Sequence, residues 1–439
     1  MARGKKAEKT LTPEEKLAQA LVPVAEQPFV VPENWVWVYF KTIASICTGK
    51  KDANYGSPDG DYLFFTCATD PIRCNGYSFD CKALLLAGNG DISNISLYEG
   101  KFEAYQRTYV VETVTQVNIK YIYYFFKYRW VDYNRDKMFG TAVPYIRLGN
   151  LQDFPIPIIP IREQQRMVDC IENLFAKLDE AKEKAQAVVD GFETRKAAIL
   201  HKAFAGELTV KWRSAHNVDI NDWDKVVLSD VCKINPPKAN TKDLPDDLEV
   251  SFFPMPALSE IYGEIVEPQT KLLKEVRTGF TNFSEGDVVF AKITPCMENG
   301  KSAVIGKLVN DIGFGTTEFF VLRCGEKLLN RYLYHMVRNQ TFRDEAKAVM
   351  TGAVGQQRVP KSFLEQYPVH LPSIPEQERI VQLLDRLFEG EQKAKEHCEY
   401  IVEQVELIKK SILARAFRGE LGTNDPAEES AVKLLKSVL

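Results

Sequence analysis

The chain has few histidines and no long apolar run, and both absences narrow the protein classes to which it can belong. Its 439 residues include five histidines, and no stretch approaches the roughly eighteen consecutive apolar residues of a membrane helix. The N-terminus, MARGKKAEKT, is charged and lacks the apolar segment of a signal peptide. We therefore expect a cytoplasmic protein without membrane contact, whose nine cysteines, an odd number, are reduced.

Catalytic and cofactor-binding patterns are equally scarce. The histidines and serines form no recognisable nucleophile motif, and the glycines at 88–91 and 313–315 are too few for a phosphate-binding loop. Cys67, Cys74 and Cys81 are evenly spaced, but too widely for a zinc knuckle, and no histidine lies near them. The sequence predicts no catalytic site, no metal site and no cofactor held by this chain.

Two other functions stay open as alternatives. Asn235-Pro236-Pro237-Lys238 resembles the Asn-Pro-Pro-aromatic box of adenine-specific DNA methyltransferases. Holding a flipped base requires an aromatic face, which Lys238 does not provide, so this alternative is the weaker one. The net charge of −4 does not favour binding to phosphates. It therefore leaves room for a structural adaptor that spaces two protein-binding domains.

The most informative feature is a repeat of about fifty-six residues. The segments 154–209 and 367–422 align without a gap at an offset of 213 positions. Glu163-Gln164 recurs as Glu376-Gln377, and both copies end on Ala-Phe-x-Gly-Glu-Leu. Each copy follows a longer block, and the two blocks differ from each other. The repeat therefore indicates a pseudo-symmetric molecule that performs one task twice.

Apolar residues in each repeat recur in alternating steps of three and four, which is typical of a coiled coil. We expect a first helix over 163–204, about 63 Å long, packed antiparallel on a second helix from the other repeat. In the alternative, each helix covers its own domain. Arg195 and Glu391 interrupt the stripe and are expected to fix its register. The predicted seam consists of Ile171, Leu174, Leu178, Phe192, Ile199, Leu384, Leu387, Val405, Ile408 and Ile412.

The blocks that precede the repeats contain short β-rich runs with Gly, Asn and Pro between them, and each opens with a tryptophan, Trp35 or Trp223. We interpret them as two α+β domains of one fold. A helix is also predicted near the C-terminus, starting at Asp425-Pro426. The predicted organisation is an N-terminal arm (1–28), a first domain (29–153), a first helical spacer (154–209), a second domain (210–366), a second helical spacer (367–422) and a C-terminal helical tail (423–439).

This order of elements resembles the specificity (S) subunit of type I restriction–modification enzymes. Three phrases in the blocks are similar to the recognition domains of that family: 100–109, 292–301 and 315–319. The resemblance implies a non-catalytic subunit in which each target-recognition domain reads half of a bipartite double-stranded DNA target. It also implies that the helices set the spacing and dock two methyltransferase (M) subunits, which bring S-adenosylmethionine. Restriction (R) subunits, using ATP and Mg, join for cleavage.

Candidate DNA contacts are the polar side chains that interrupt the apolar strands, since donors on loops read base edges and lysines and arginines bind phosphates. Gln356-Gln357-Arg358 is the leading set, followed by Gln106-Arg107, although Arg107 has a buried ion pair as its alternative. Each candidate has a solvated surface position as its alternative. The candidates are Lys50, Lys51, Arg73, Asn75, Gln106, Arg107, Arg135 and Lys137 in the first block, and Lys238, Asn240, Lys292, Thr294, Lys301, Gln356, Gln357 and Arg358 in the second.

Overall fold

A computed structural model of the chain describes residues 12–114, 116–260, 263, 265–353 and 355–439. The chain forms two compact units. The first unit is Met1–Ala185 with Tyr400–Leu439, and the second is Gln186–Glu399. Residues 1–11 of the predicted N-terminal arm lie outside the described residues. Within the described ranges, no helix is both long and apolar enough to cross a membrane.

Thirteen α-helices occur in the described part of the chain, and most are short. The exceptions are α4 and α12, which come from the two repeats. The helices are α1 Pro13–Ala20, α2 Ile119–Asn134, α3 Leu148–Gln152, α4 Ile161–Asp190, α5 Phe192–Phe204, α6 Val210–His216, α7 Leu228–Val231, α8 Leu273–Val276, α9 Asn330–Arg338, α10 Gln340–Ala348, α11 Lys361–Glu365, α12 Ile374–Ala416 and α13 Ala431–Val438.

The strands of the described residues lie almost entirely in the two blocks that precede the repeats. They are β1 Val36–Tyr39, β2 Ala44–Thr48, β3 Tyr62–Phe65, β4 Ile72–Cys74, β5 Phe79–Ala87, β6 Ile95–Ala104, β7 Thr108–Thr113, β8 Pro155–Ile158, β9 Asp224–Val227, β10 Cys232–Ile234, β11 Glu249–Phe253, β12 Gln269–Leu272, β13 Thr281–Phe283, β14 Val288–Ala291, β15 Ser302–Val304, β16 Gly313–Gly315, β17 Phe319–Cys324 and β18 Pro368–Leu371.

The first unit contains a six-stranded sheet in the order β2-β7-β5-β6-β3-β4. All neighbouring strands are antiparallel except β3 and β6, which are parallel. A separate ribbon pairs β1 with β8. The main core lies between this sheet, helix α2 and the start of α4. Its largest fully buried side chains include Trp37, Tyr121 and Trp130.

The second unit has two four-stranded sheets, β10-β17-β14-β15 and β12-β11-β16-β13, and a ribbon of β9 with β18. Its parallel pair is β11 with β16. The long strand β5 of the first unit corresponds to β13 and β14 together, and β6 corresponds to β15 and β16. With these two strands joined, the order becomes β10-β17-β13/14-β15/16-β11-β12, which is the order of the first unit. The prediction of two α+β domains of one fold with linking helices is therefore confirmed.

Two predicted helix boundaries are wrong. The first repeat forms two helices, α4 and α5, which are separated at Gly191. Arg195 donates from Nη2 to the carbonyl of Val188 at 2.7 Å. Its side chain thus satisfies an acceptor at the end of α4. The C-terminal helix begins at Ala431, six residues after the predicted start, because Ser430 provides the N-cap oxygen.

The repeat helices run antiparallel within each unit. In the first unit, Lys182 pairs with Glu406 at 2.9 Å, and Asp179 pairs with Lys409 further along. In the second unit, Arg195 of α5 pairs with Glu391 of α12 at 2.7 Å. The residue number rises in one helix while it falls in the other. The two residues predicted to interrupt the stripe, Arg195 and Glu391, therefore form an ion pair between the helices.

The predicted seam is correct at every second position and one residue out of register at the others. Ile171, Leu384 and Val405 are buried, whereas Leu387 and Ile408 are 38% and 43% exposed. The seam of α12 instead follows buried or half-buried positions in alternating steps of four and three: Leu384, Phe388, Glu391, Lys395, Cys398, Val402, Val405, Lys409 and Ile412.

Lysines occupy two of the seam positions, where their ammonium groups lie over aromatic rings. The ammonium of Lys409 lies 5.2 Å from the ring centre of Phe175 in the first unit, and that of Lys395 lies 4.9 Å from the ring centre of Phe192 in the second. On α4, the same one-residue shift brings Phe175 onto the seam beside the predicted Leu174, and both are half-buried. Leu178, Ile199 and Ile412 are half-buried as well, and Phe192 is buried. The alternation of three and four is retained, but the step of four comes before the step of three.

Candidate functional site

The duplicated Glu-Gln pair fastens each domain to its repeat helix. In the first unit, Trp35 donates from its indole nitrogen to Glu163 Oε2 at 2.8 Å. Gln164 accepts from the backbone N–H of Asn118, the N-cap of α2, at 2.8 Å and donates to the carbonyl of Ile159 at 2.9 Å. Glu163 and Gln164 are both completely buried.

The second unit repeats this arrangement. Trp223 donates to Glu376 Oε2 at 2.9 Å. Gln377 accepts from the N–H of Leu329, the N-cap of α9, at 2.9 Å and donates to the carbonyl of Pro372 at 2.8 Å. Each acceptor carbonyl lies five residues before its glutamine. The shared residues of the repeat thus position the domains and are not exposed to a ligand.

The two glutamates differ in their other oxygen. Glu376 Oε1 accepts from Thr209 at 2.7 Å and from the guanidinium of Arg213 at 2.8 Å, so a buried ion pair forms. At the corresponding repeat positions the chain has Gly422 and Pro426, which have no side-chain donor. Glu163 Oε1 consequently has no hydrogen-bond partner among the described residues. Burial raises the pKa of Glu163 to about 7, although Trp35 and Arg166 oppose this.

In the first domain, the structure brings four candidates together at the turn after β6. Gln106 donates its backbone N–H to the carbonyl of Lys51 at 2.9 Å, and its side-chain amide donates to Asp52 at 2.8 Å. Lys50, Gln106 and Arg107 are exposed. No carboxylate of the described chain forms an ion pair with Arg107, so the buried ion pair considered for it is wrong.

The other first-domain candidates lie away from this turn. Arg73, on the edge strand β4, donates to the carbonyl of Asp61 at 3.3 Å, and Asn75 follows it at the surface. Arg135 forms an ion pair with Asp132 at the end of α2. The ammonium of Lys137 lies 3.4 Å above the ring of Tyr133. Arg135 and Lys137 therefore belong to a second surface patch.

In the second domain, the leading candidates form one ribbon, in which Gln356 is exposed and Gln357 and Arg358 are half-buried. Thr294 donates its N–H to the carbonyl of Gln357 at 3.0 Å, and its hydroxyl accepts from the Gln357 N–H at 3.1 Å. Lys292 accepts at its carbonyl from Val359 N–H at 2.9 Å. Residues 292–294 and 356–359 thus lie side by side, which the sequence separation of more than sixty positions did not indicate.

Arg358 is held in place within this ribbon. Its guanidinium makes two hydrogen bonds of 2.9 Å to the carboxylate of Glu318, which lowers the pKa of Glu318. A third bond goes to the carbonyl of Gln356 at 3.0 Å. The side chain is still 42% exposed. A fixed, half-exposed guanidinium retains free N–H groups for a bidentate contact to a guanine or a phosphate.

The remaining second-domain candidates differ from one another. Lys238 and Asn240 are exposed in the loop that follows β10. Lys301 is not accessible: its side chain is 13% exposed, and its ammonium lies 3.4 Å from the carbonyl of Met255 and 3.6 Å from Glu260. Because this ammonium is directed into the domain, Lys301 is not available as a DNA contact.

The family model for the type I restriction modification DNA specificity domain matches residues 32–189 and 220–398. The chain belongs to this specificity family. It is 28% identical over 420 residues to the type I restriction enzyme EcoDI specificity subunit of Escherichia coli, with 91% of each chain covered. It is 33% identical to the EcoAI specificity subunit of Escherichia coli, over 49% of this chain and 43% of that one.

A solved structure has the same fold. The HsdS subunit from Thermoanaerobacter tengcongensis superposes with a TM-score of 0.61 at 18% identity. The match covers 91% of this chain and 100% of that one. The family match and the shared fold thus both extend over the two α+β domains.

The Asn-Pro-Pro motif has a structural role in this specificity-family chain. Asn235 donates its N–H to the carbonyl of Val321 at 2.7 Å, and its side-chain oxygen accepts from the Val321 N–H at 3.0 Å. Asn235 has φ of 51°, a conformation that asparagine tolerates better than most residues. The motif thus ends strand β10 and ties the start of the following loop to strand β17.

Sequence reasoning missed three residues of these surfaces. Arg147 stacks 3.9 Å from the ring centre of Phe139 in the patch that contains Lys137. Gly88 connects this patch to the turn after β6, because it donates to the carbonyl of Arg107 and accepts from Ile146. Glu318 was missed because a carboxylate does not bind phosphate, although it positions Arg358. An aromatic residue near an isolated arginine, as at 139 and 147, is the signal that was available.

Proposed function

We propose that this chain is the DNA-recognition subunit of a type I restriction–modification complex in the cytoplasm, where each α+β domain reads half of a bipartite target. The hydrogen-bonded arrangement of Trp, Glu and Gln, which occurs once in each unit, carries this proposal. It fixes two domains of one topology to two copies of one helix in the same way. Membership of the specificity family supports the proposal.

Recognition would use a turn in the first domain and a ribbon in the second. In the first domain, Lys50, Gln106 and Arg107 surround the turn after β6. In the second, Gln357 and Arg358 lie on the ribbon beside Lys292 and Thr294. Amides and guanidinium groups are the side chains that discriminate adenine and guanine in the major groove. Lysines at the edges would bind phosphates and fix the register.

A salt titration of DNA binding tests this function. If six phosphates are contacted, the affinity should fall by about a thousandfold between 50 and 200 mM salt. The complex with the methyltransferase partner is the sample, and a duplex that lacks the target is the control. Binding that is absent or independent of salt would leave the structural adaptor as the better description.

The partner proposal rests on an exposed apolar face of α12. Tyr400 and Leu407 are 60% and 57% exposed, and Ile401 and Ile408 lie beside them, each 43% exposed. These four residues recur at intervals of seven on one side of the helix and flank the seam. A face of this kind on a soluble helix indicates a docking surface. We infer that a helical segment of a methyltransferase subunit covers it.

Replacing Ile401 and Ile408 together with Asp should abolish co-purification of the methyltransferase subunit. Lys410→Asp, at an exposed polar position of the same helix, is the matched control and should leave co-purification intact. Equal recovery of the partner with both variants would contradict the assignment of this face. The partner would supply S-adenosylmethionine and the methyl transfer, while this chain supplies the target sequence.

The spacing between the half-sites would be set by the repeat helices. A heptad inserted into each of α4 and α12 adds about 10.5 Å of helix and keeps the seam in register. The unread spacer in the methylated target should then lengthen by up to about three base pairs, with both half-sites unchanged. An unchanged spacer in methylome sequencing would argue against this role.

A further inference from the structure

Two cysteines of the second unit face each other across neighbouring strands. Cys232 begins β10, Cys324 ends β17, and the antiparallel register places them directly opposite. Both are free thiols. Cys232 is buried, whereas Cys324 is partly exposed. The pair lies outside the surfaces described above.

The hydrogen-bond pattern of the two strands shows how close this pair is. Gly325 donates to the carbonyl of Val231 at 2.8 Å, and Asn235 donates to that of Val321 at 2.7 Å. Hydrogen-bonded pairs alternate with non-hydrogen-bonded pairs along antiparallel strands, so Cys232 and Cys324 occupy a non-hydrogen-bonded position. Cα atoms at such positions are about 4.5 Å apart, within the span of about 4.4–6.8 Å found for disulfides.

The two thiols also interact in the reduced protein. The neighbouring Cys324 thiol and burial both raise the pKa of the Cys232 thiol. A protonated, buried thiol is a poor nucleophile. Cys324, which is the accessible member of the pair, therefore meets a reagent first. The pair thus has an accessible attacking thiol and a buried resolving thiol.

We propose that Cys232 and Cys324 form a reversible thiol–disulfide pair that reacts with low-molecular-weight disulfides of the glutathione class. The Cys324 thiol loses its proton and its sulfur attacks one sulfur of the small disulfide. A mixed disulfide forms, and one small thiolate leaves and takes up that proton. Cys232 then attacks the Cys324 sulfur and gives its proton to the second departing thiolate. The Cys232–Cys324 bond forms, and the second small thiol leaves. Two protein thiols are oxidised, and one small disulfide is reduced to two thiols.

Oxidation would act on the loop that follows β10. This strand has three residues and lies at the edge of its sheet, while β17 lies inside the sheet beside β14. The chain leaves β10 through Asn235 and reaches the exposed Lys238 and Asn240. A covalent bond between the two strands would therefore tie the base of this loop to the interior of the sheet.

The registers of the other strand cysteines provide a control. Cys47 lies opposite Val110, Cys74 opposite Tyr62 and Cys81 opposite Gly100, so none of them has a cysteine partner across its strand. Cys47 is exposed. It reports the general reactivity of an exposed thiol in the same protein and cannot form a cross-strand bond.

The test is peptide mapping by mass spectrometry after the full chain is incubated with oxidised glutathione and the remaining thiols are alkylated. The expected product is a Cys232–Cys324 cross-link that dithiothreitol reverses. Cys324→Ser should leave Cys232 reduced, and Cys232→Ser should leave a glutathione adduct on Cys324. Cys232→Ala repeats the second test with an apolar side chain, in case buried serine impairs folding. Cys47→Ser should leave the cross-link unchanged.

A stable glutathione adduct on Cys324 of the unmodified chain would overturn the proposal, because Cys232 would then fail to resolve it. Modification of Cys47 with both Cys232 and Cys324 still reduced would overturn it as well. The mapping is done without DNA, so its outcome is independent of whether the chain reads a DNA target.

Discussion

At the scale of single residues, Glu163 and Glu376 show how one repeated carboxylate acquires two different surroundings. Both accept from a domain-opening tryptophan, but only Glu376 has an arginine, Arg213, at 2.8 Å. The sequence shows that the Glu-Gln pair is repeated. It does not show the partners, because Trp35 is 128 positions away from Glu163. Asymmetry within the repeat is therefore visible only in the fold.

The stability of the first unit should depend on the protonation of Glu163. Its pKa is raised from the usual 4.5 to about 7 in the folded protein, so the folded state favours the protonated carboxyl. Stability is then greatest below pH 4.5 as far as this group is concerned, and falls as the pH rises towards 7. Glu163→Gln, which mimics the protonated form, should stabilise the protein by about 3 kcal/mol at pH 8 and little at pH 5.

Urea unfolding of both proteins at the two pH values measures this difference. The groups around Glu163 are Arg166, Glu428 and Asp425, and the substitution leaves all three in place. A variant that is no more stable than the original chain at pH 8 would show that the carboxylate is accommodated without cost.

The equivalent substitution in the second unit should have the opposite effect. Glu376→Gln removes the negative charge that faces Arg213, whose side chain is only 8% exposed. A buried ion pair that loses one partner typically costs about 3–5 kcal/mol. Urea unfolding at pH 7 checks this loss. Adding Arg213→Met to the same chain should restore part of the stability, since no unpaired charge remains; a further loss would show that the charge is not the cause.

At the scale of elements, the helix pair shows what an apolar pattern can and cannot predict. The alternation of three and four correctly predicts a coiled-coil seam through Leu384 and Val405. It fails at the intervening positions, because lysine ammonium groups lie over Phe175 and Phe192 there, while Leu387 and Ile408 remain exposed. Apolar identity alone cannot distinguish the seam from a second apolar face on the same helix. An exposed apolar face and a core face have the same residue types in the sequence.

Neighbouring positions of α12 should therefore respond differently to one substitution. Val405 is 2% exposed and Ile408 is 43% exposed. Val405→Asp buries an unpaired charge and should destabilise the protein by at least about 3 kcal/mol. Ile408→Asp should change the stability by less than about 1 kcal/mol. Thermal unfolding of the two variants compares them directly, and equal losses would contradict the shifted seam.

At the scale of the whole molecule, the sequence predicts two domains of one fold, because both blocks have Gly, Asn and Pro between short strands and both open with a tryptophan. It does not predict that β5 and β6 each correspond to two strands in the second unit. In the second unit, the segments 284–287 and 305–312 separate β13 from β14 and β15 from β16. Their turn residues are of the same types as those between independent strands, so the sequence cannot show that each pair corresponds to one strand. Recognition surfaces are also hard to predict, because Thr294 and Gln357 meet only through tertiary folding.

The central claim is that each domain reads one half of a bipartite DNA target independently. Methylome sequencing of cells that carry the Gln106→Ala or the Gln357→Ala chain tests it most directly. The account predicts that Gln106→Ala relaxes or weakens recognition of one half-site only, and that Gln357→Ala does so for the other half-site only. If either substitution altered both half-sites equally, or if neither changed the methylated sequence, the assignment of one reader to each half would be contradicted.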